Sequence, residues 1–176
     1  MKRLWAGWRM AYVEKTGPHD AGKCLFCRLG ELEPSSSNLV LESGEECLIV
    51  LNAFPYNCGH LMVAPRRHRP WTASLDASER AAVWDGIARA ETALRKAYRP
   101  HGINAGLNLG RPAGAGVVGH VHMHLVPRWN GDTNFMPVVA GTKVLPESLD
   151  VTWERLRTAL AEGRSTARRA KGQLRK

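Results

Sequence analysis

Gly119-His120-Val121-His122-Met123-His124-Leu125-Val126-Pro127-Arg128-Trp129 decides how this 176-residue chain is read. Histidines hold positions 120, 122 and 124, and Val121, Met123 and Leu125 alternate with them. Successive side chains of an extended strand point to opposite faces. The apolar set can therefore face a core while three imidazoles stand in a row on the other side. Three of the seven histidines are committed to that one face. Such a row admits two chemistries. Imidazole is a common metal ligand, and near neutral pH it also serves as acid, base or nucleophile. The loop before the row, Gly110-Arg111-Pro112-Ala113-Gly114-Ala115-Gly116, favours the second for at least one ring. Its glycines let backbone N–H groups approach an anion closely. An anion cradle beside a nucleophilic imidazole suits phosphoryl transfer.

Outward from this strand, the pattern is that of one α+β domain. Short apolar runs at Leu39–Glu42, Cys47–Ala53, His60–Ala64, Ile103–Leu109 and His120–Pro127 read as five strands of an antiparallel sheet. Trp84, Ile87, Leu94 and Tyr98 recur at helical spacing, which predicts one long helix over 76–98. Ser74 or Asp76 is positioned to cap it, and Pro100 lies beyond its end. Leu149, Trp153, Leu156 and Leu160 predict a C-terminal helix. Residues 1–13, with Trp5, Trp8, Met10, Tyr12 and Val13, are too apolar for a loose tail and are expected to pack.

Composition excludes several classes. No apolar run approaches ~18 residues, and the basic start lacks the apolar stretch of a secretory signal, so a cytoplasmic protein is expected. The formal charge is +9, but Arg164, Arg168, Arg169, Lys171, Arg175 and Lys176 carry +6 of it in a tail without acids. Residues 1–162 are thus only mildly basic and form the expected domain, with 163–176 expected as a disordered basic tail. That division argues against nucleic acid as the main ligand. Cys47, in an apolar run, reads as a buried hydrophobe, and Cys58 sits in a turn with no assigned role. Cys24 and Cys27 form a Cys-x-x-Cys pair, whose spacing lets two thiolates reach one metal.

His120-Val121-His122-Met123-His124-Leu125-Val126 resembles the signature of the histidine triad (HIT) superfamily. Asn52 to Pro65, with Gly59-His60, is similar to that family's first nucleotide-binding stretch, although Cys58 stands where proline is usual. Gly106–Gly110, Pro127–Phe135 and Gly141–Pro146 look most like the bacterial branch of diadenosine tetraphosphate phosphorylases. The resemblance implies a five-stranded fold, often paired edge to edge into a ten-stranded homodimer sheet. It also implies nucleotidyl transfer or hydrolysis on dinucleoside polyphosphates through a covalent nucleotidyl-histidine at His122. His124 would meet phosphate or bridging oxygens. Asn52 would bind ribose, Asn108 ribose or phosphate, and His60 would orient the site. Family members often carry Gln and Ser or Thr where this chain has Gly116 and Val117, so Gly116 would offer a backbone N–H. Lys143 is either a ligand of an acceptor phosphate or a solvent-exposed lysine.

Zinc-containing relatives imply two further metal ligands. With Cys24 and Cys27 these would be His68, in Pro65-Arg66-Arg67-His68, and His120. Four such donors make a closed, structural zinc site. Three other readings stay open: a nucleoside phosphoramidate hydrolase of the same superfamily, a catalytic metal on all three triad histidines, and a zinc-stabilised nucleic-acid-binding protein that uses its tail and does no chemistry.

Overall fold

The computed structural model describes residues 24–133, 139 and 144–173, with the backbone alone for 164–173. The expected packing of residues 1–13 lies outside them. The elements run α1 (Leu25–Gly30), β1 (Val40–Ser43), β2 (Cys47–Leu51), β3 (Leu61–Pro65), α2 (Ala77–Tyr98), β4 (Gly102–Leu107), β5 (Met123–Arg128) and α3 (Leu149–Gln173). Five strands form one antiparallel sheet in the order β1-β2-β3-β5-β4. The α+β expectation and the five-stranded sheet hold.

Both faces of the central strands are covered, which is why β2 and β3 are apolar without alternation. Leu41, Ile49, Leu51, Leu61, Val63 and Leu125 face α2 and α3, where Ala90, Ala93, Leu94, Leu156, Ala159 and Leu160 complete the core. The opposite residues, Val40, Leu48, Val50, Met62 and Ala64, pack around Phe26. Met62 pairs with His124, so the histidine face of β5 is the Phe26 face.

Two glycines set how closely α2 approaches. A Cβ at Gly86 would meet Val63 Cγ1 at 3.0 Å and Cys47 Sγ at 3.1 Å. Gly59 has φ +77°, and a Cβ there would crowd Leu94 and Tyr98 at 3.2 Å. The helix begins where sequence placed it. Asp76 accepts from Glu79 N–H at 2.9 Å, and the Glu79 side chain answers to Asp76 N–H at 2.9 Å, a reciprocal capping box. Its end is Arg99 in the left-handed region, just before Pro100.

Three expectations need correction. Trp84 is exposed, not on the packed stripe, which is Val83, Ile87, Ala90, Ala93 and Leu94. Strand β4 ends at Leu107, not Leu109. Strand β5 begins at Met123, so of the three histidines only His124 lies in the ladder. The neighbouring β3 runs out at Pro65, which has no N–H to offer. Val121 N–H turns instead to the Arg69 carbonyl at 2.7 Å. Helix α3 runs from Leu149 to Gln173. None of the described helices is long and apolar enough to cross a membrane.

Candidate active site and metal centre

The triad histidines do three different things, and their hydrogen bonds fix three tautomers. His120 is buried, and its Nε2 lies 2.9 Å from the Pro65 carbonyl. A carbonyl only accepts, so Nε2 carries the proton and Nδ1 the lone pair. That Nδ1 faces Cys24 Sγ at 3.3 Å and Cys27 Sγ at 3.7 Å. His122 is 4% exposed, and its Nδ1 donates to the His120 carbonyl at 2.8 Å. The neutral ring therefore carries its lone pair on Nε2. Burial pushes the pKa of His122 below the ordinary histidine value, against the pull of that carbonyl. The neutral form, which alone has a lone pair to attack with, is favoured.

His124 takes its orientation from a relay. Tyr56 N–H donates to His60 Nδ1 at 3.1 Å, so His60 carries its proton on Nε2. His60 Nε2 then donates to His124 Nδ1 at 2.9 Å, which leaves the His124 proton on Nε2. The rings of His122 and His124 stand 4.9 Å apart, edge to face. A lone pair and an N–H thus stand side by side, an arrangement that can serve as a nucleophile next to a hydrogen-bond donor.

Asn52 is buried, and its Oδ1 accepts from Phe54 N–H at 2.9 Å, shaping the turn before His60. Asn108 Nδ2 donates to the Gly114 carbonyl at 3.3 Å and braces the glycine-rich loop. Gly116 is exposed in that loop. The N–H groups of Gly116, Val117 and Val118 meet no acceptor among the described residues. Lys143 lies outside the described residues.

Cys24, Cys27, His68 and His120 converge, with their donor atoms all within 4.8 Å of one another. Cys27 Sγ lies 3.5 Å from His68 Nδ1. A tetrahedron built on zinc–sulfur and zinc–nitrogen bonds has edges of about 3.3–3.8 Å, which the close pairs match. Burial, and then the charge of Cys24, push the Cys27 thiol up. A dication among the four donors would reverse that push, because thiolate is the ligand form. The donor set fits a metal.

Some contributors carried no sequence signal. Glu147 Oε1 accepts from the Tyr98 hydroxyl, from Thr152 Oγ1 at 2.8 Å and from Cys58 Sγ at 3.2 Å. Its Oε2 pairs with Arg155 at 3.3 Å. Burial works to raise the Glu147 carboxyl, but these hydrogen bonds outweigh it and hold it low. Burial, with the Glu147 hydrogen bond, pushes Cys58 up to about 11. Cys58 is thus an anchor of the turn before His60, not a reactive thiol. The other side of that turn is held by Asn57, whose Nδ2 donates to the Pro127 carbonyl at 3.0 Å and to Asp132 at 2.9 Å.

Asp132 also accepts from Arg128 at 2.6 and 2.8 Å and from Trp129 N–H at 3.1 Å. Arg128 foremost holds its carboxyl well below the usual range. A carboxyl depressed by folding stabilises above its unfolded pKa of ~3.9, and that contribution is lost as pH falls through the folded value. Asp132→Asn is expected to melt at lower temperature at pH 7. The gap to the parent should narrow as pH falls from about 5 to 2. Calorimetry across that range checks it, and a gap that widens on acidification contradicts it.

The sequence profile of the HIT domain matches residues 33–131, more than half of the chain. The chain belongs to the HIT domain family. This HIT protein is 37% identical over 167 residues to the AP-4-A phosphorylase of Mycobacterium tuberculosis, covering 92% of this chain and 85% of the relative. It is 30% identical over 109 residues to the adenylylsulfatase HINT3 of Arabidopsis thaliana, covering 62% of this chain and 54% of that one. Among solved structures, a Zn-bound histidine triad family protein from Mycobacterium smegmatis superposes with a TM-score of 0.64 at 25% identity. That match covers 82% of this HIT chain and 97% of the other.

Proposed function

We propose that the protein cleaves dinucleoside polyphosphates by moving a nucleotidyl group first onto His122 and then onto inorganic phosphate. The observation that carries this is the Nδ1–H of His122 on the His120 carbonyl, which leaves Nε2 as a buried, neutral nucleophile. In the first step Nε2 bonds to the α-phosphorus and the bond to the bridging oxygen breaks. His124 Nε2–H donates to the departing polyphosphate. In the second step phosphate attacks the same phosphorus and frees His122. With water in place of phosphate the same site is a hydrolase. The likeness to an AP-4-A phosphorylase favours phosphate.

The N–H groups of Gly116 and its neighbours suit the α-phosphate oxygens. Asn52 Nδ2, its Oδ1 being engaged, is the group we assign to ribose, and Asn108 to ribose or phosphate beside the loop it braces. Zinc is the metal we assign to Cys24, Cys27, His68 and His120, where it would tie α1 and the β3–α2 loop to the catalytic segment. We place the catalytic unit in residues 1–162, in a cytoplasmic setting that keeps the thiols reduced. Pairing through β4, an edge strand with exposed Asn104, Ala105 and Gly106, would give the homodimer.

Incubation with diadenosine tetraphosphate, with and without phosphate, tests the activity. ADP plus ATP, formed only with phosphate, is the expected result. AMP plus ATP without phosphate would make the enzyme a hydrolase. Absence of turnover of this compound and of adenylate amides would overturn the enzymatic reading.

A further inference from the structure

Residue 26 looks like a spacer, the second x of Cys24-Leu25-Phe26-Cys27. Phe26 is instead fully buried on α1, and its ring leans on two histidines at once. Its centroid lies 4.7 Å from that of His122, at 38° between planes, and 5.2 Å from that of His120. Phe26 shares a buried cluster with Val40, Leu48, Val50, Met62 and Ala64 on the sheet side, with Cys24, Leu29 and Val117 packed against it. His122 is thus bounded three ways: the His120 carbonyl on Nδ1, the edge of His124, and the face of Phe26. The hydrogen bond alone leaves the imidazole free to rock about that bond. A flat ring against its face removes this freedom, and attack on phosphorus needs the Nε2 lone pair aligned within about 10–20°.

We propose that Phe26 is a positioning residue for His122, an aromatic wall that holds the imidazole plane in its attacking orientation. This rests on the reading of His122 as nucleophile. Cys24 and Cys27 flank Phe26 in the chain, so whatever holds the two thiols also places the wall.

Three full-length variants test it, each with metal content and melting temperature recorded. Phe26→Leu keeps an apolar side chain and loses the flat face. Phe26→Met does the same with a longer, more flexible chain and supplies the comparison should Phe26→Leu not fold. Leu48→Val disturbs the same cluster from the sheet side as a packing control. With diadenosine tetraphosphate and phosphate, Phe26→Leu is expected to lose roughly tenfold to a hundredfold in kcat with KM within about twofold. Leu48→Val is expected to lose stability and keep kcat. By NMR on histidine labelled with nitrogen-15, the His122 Nδ1–H should be protected from exchange in the parent and exchange faster in Phe26→Leu.

An unchanged kcat and unchanged exchange in Phe26→Leu would overturn the proposal. So would a loss that Leu48→Val reproduces. If the parent turns nothing over, the nucleotidyl-transfer reading fails, and the exchange comparison still decides whether Phe26 holds the ring.

Discussion

His122→Ala is expected to fold and to lose at least ~10⁴-fold in kcat/KM, with no nucleotide bound covalently to the protein. Removal of a nucleophile takes away the step itself, not one interaction among several, so the residual rate should be near that of bound substrate in a polar pocket. The loss should differ in kind from that of His124→Ala. In the proposed mechanism His124 donates to the leaving oxygens, so its variant should still form the adduct, but slowly. Rapid quenching and mass analysis of both variants separate the two. An adduct persisting in His122→Ala would place the nucleophile elsewhere.

Cys24→Ser is expected to lose one bound metal per chain and to lower the melting temperature by about 10 °C. Zinc contributes ~10–16 kcal/mol in small finger peptides that are unfolded without it. Here the sheet and helices retain their own core, so only a part, about 3–5 kcal/mol, should appear in stability. At ~2–4 °C per kcal/mol for a chain of this size, that gives the stated shift. Chelation of the parent should produce a similar fall. Elemental analysis with calorimetry checks it. A parent that carries no metal and melts unchanged with chelator would contradict the assignment. The consequences should reach the proposed active site, because His120 offers its ring to the Cys/His cluster and its carbonyl to His122.

Much of this was legible in the sequence because it is written in local patterns. Strict alternation at 120–125 put the histidines opposite the core, and Asp76, one of two cap candidates with Ser74, marked the start of α2. The Cys24–Cys27 pair announced a ligand set that closes on residues 41 and 93 positions away. What was not legible depends on partners distant in the chain. Where β5 begins is decided by Pro65 on its neighbour. Trp84 fits a helical stripe by spacing, but small residues of α2, Gly86 and Ala90, approach the sheet and leave the indole outside. Glu147 anchors Cys58 from 89 positions away with nothing around it to say so. Phe26 was hidden by its place inside a Cys-x-x-Cys pair, where an apolar residue reads as filler.

The stereochemical course at phosphorus tests the central claim most directly. Diadenosine tetraphosphate made chiral at the α-phosphorus is converted by the enzyme, and the configuration of the nucleotide product is determined. Two in-line displacements, onto His122 and off it, predict retention. Inversion would mean that the acceptor attacks the substrate directly, and His122 would not be the nucleophile.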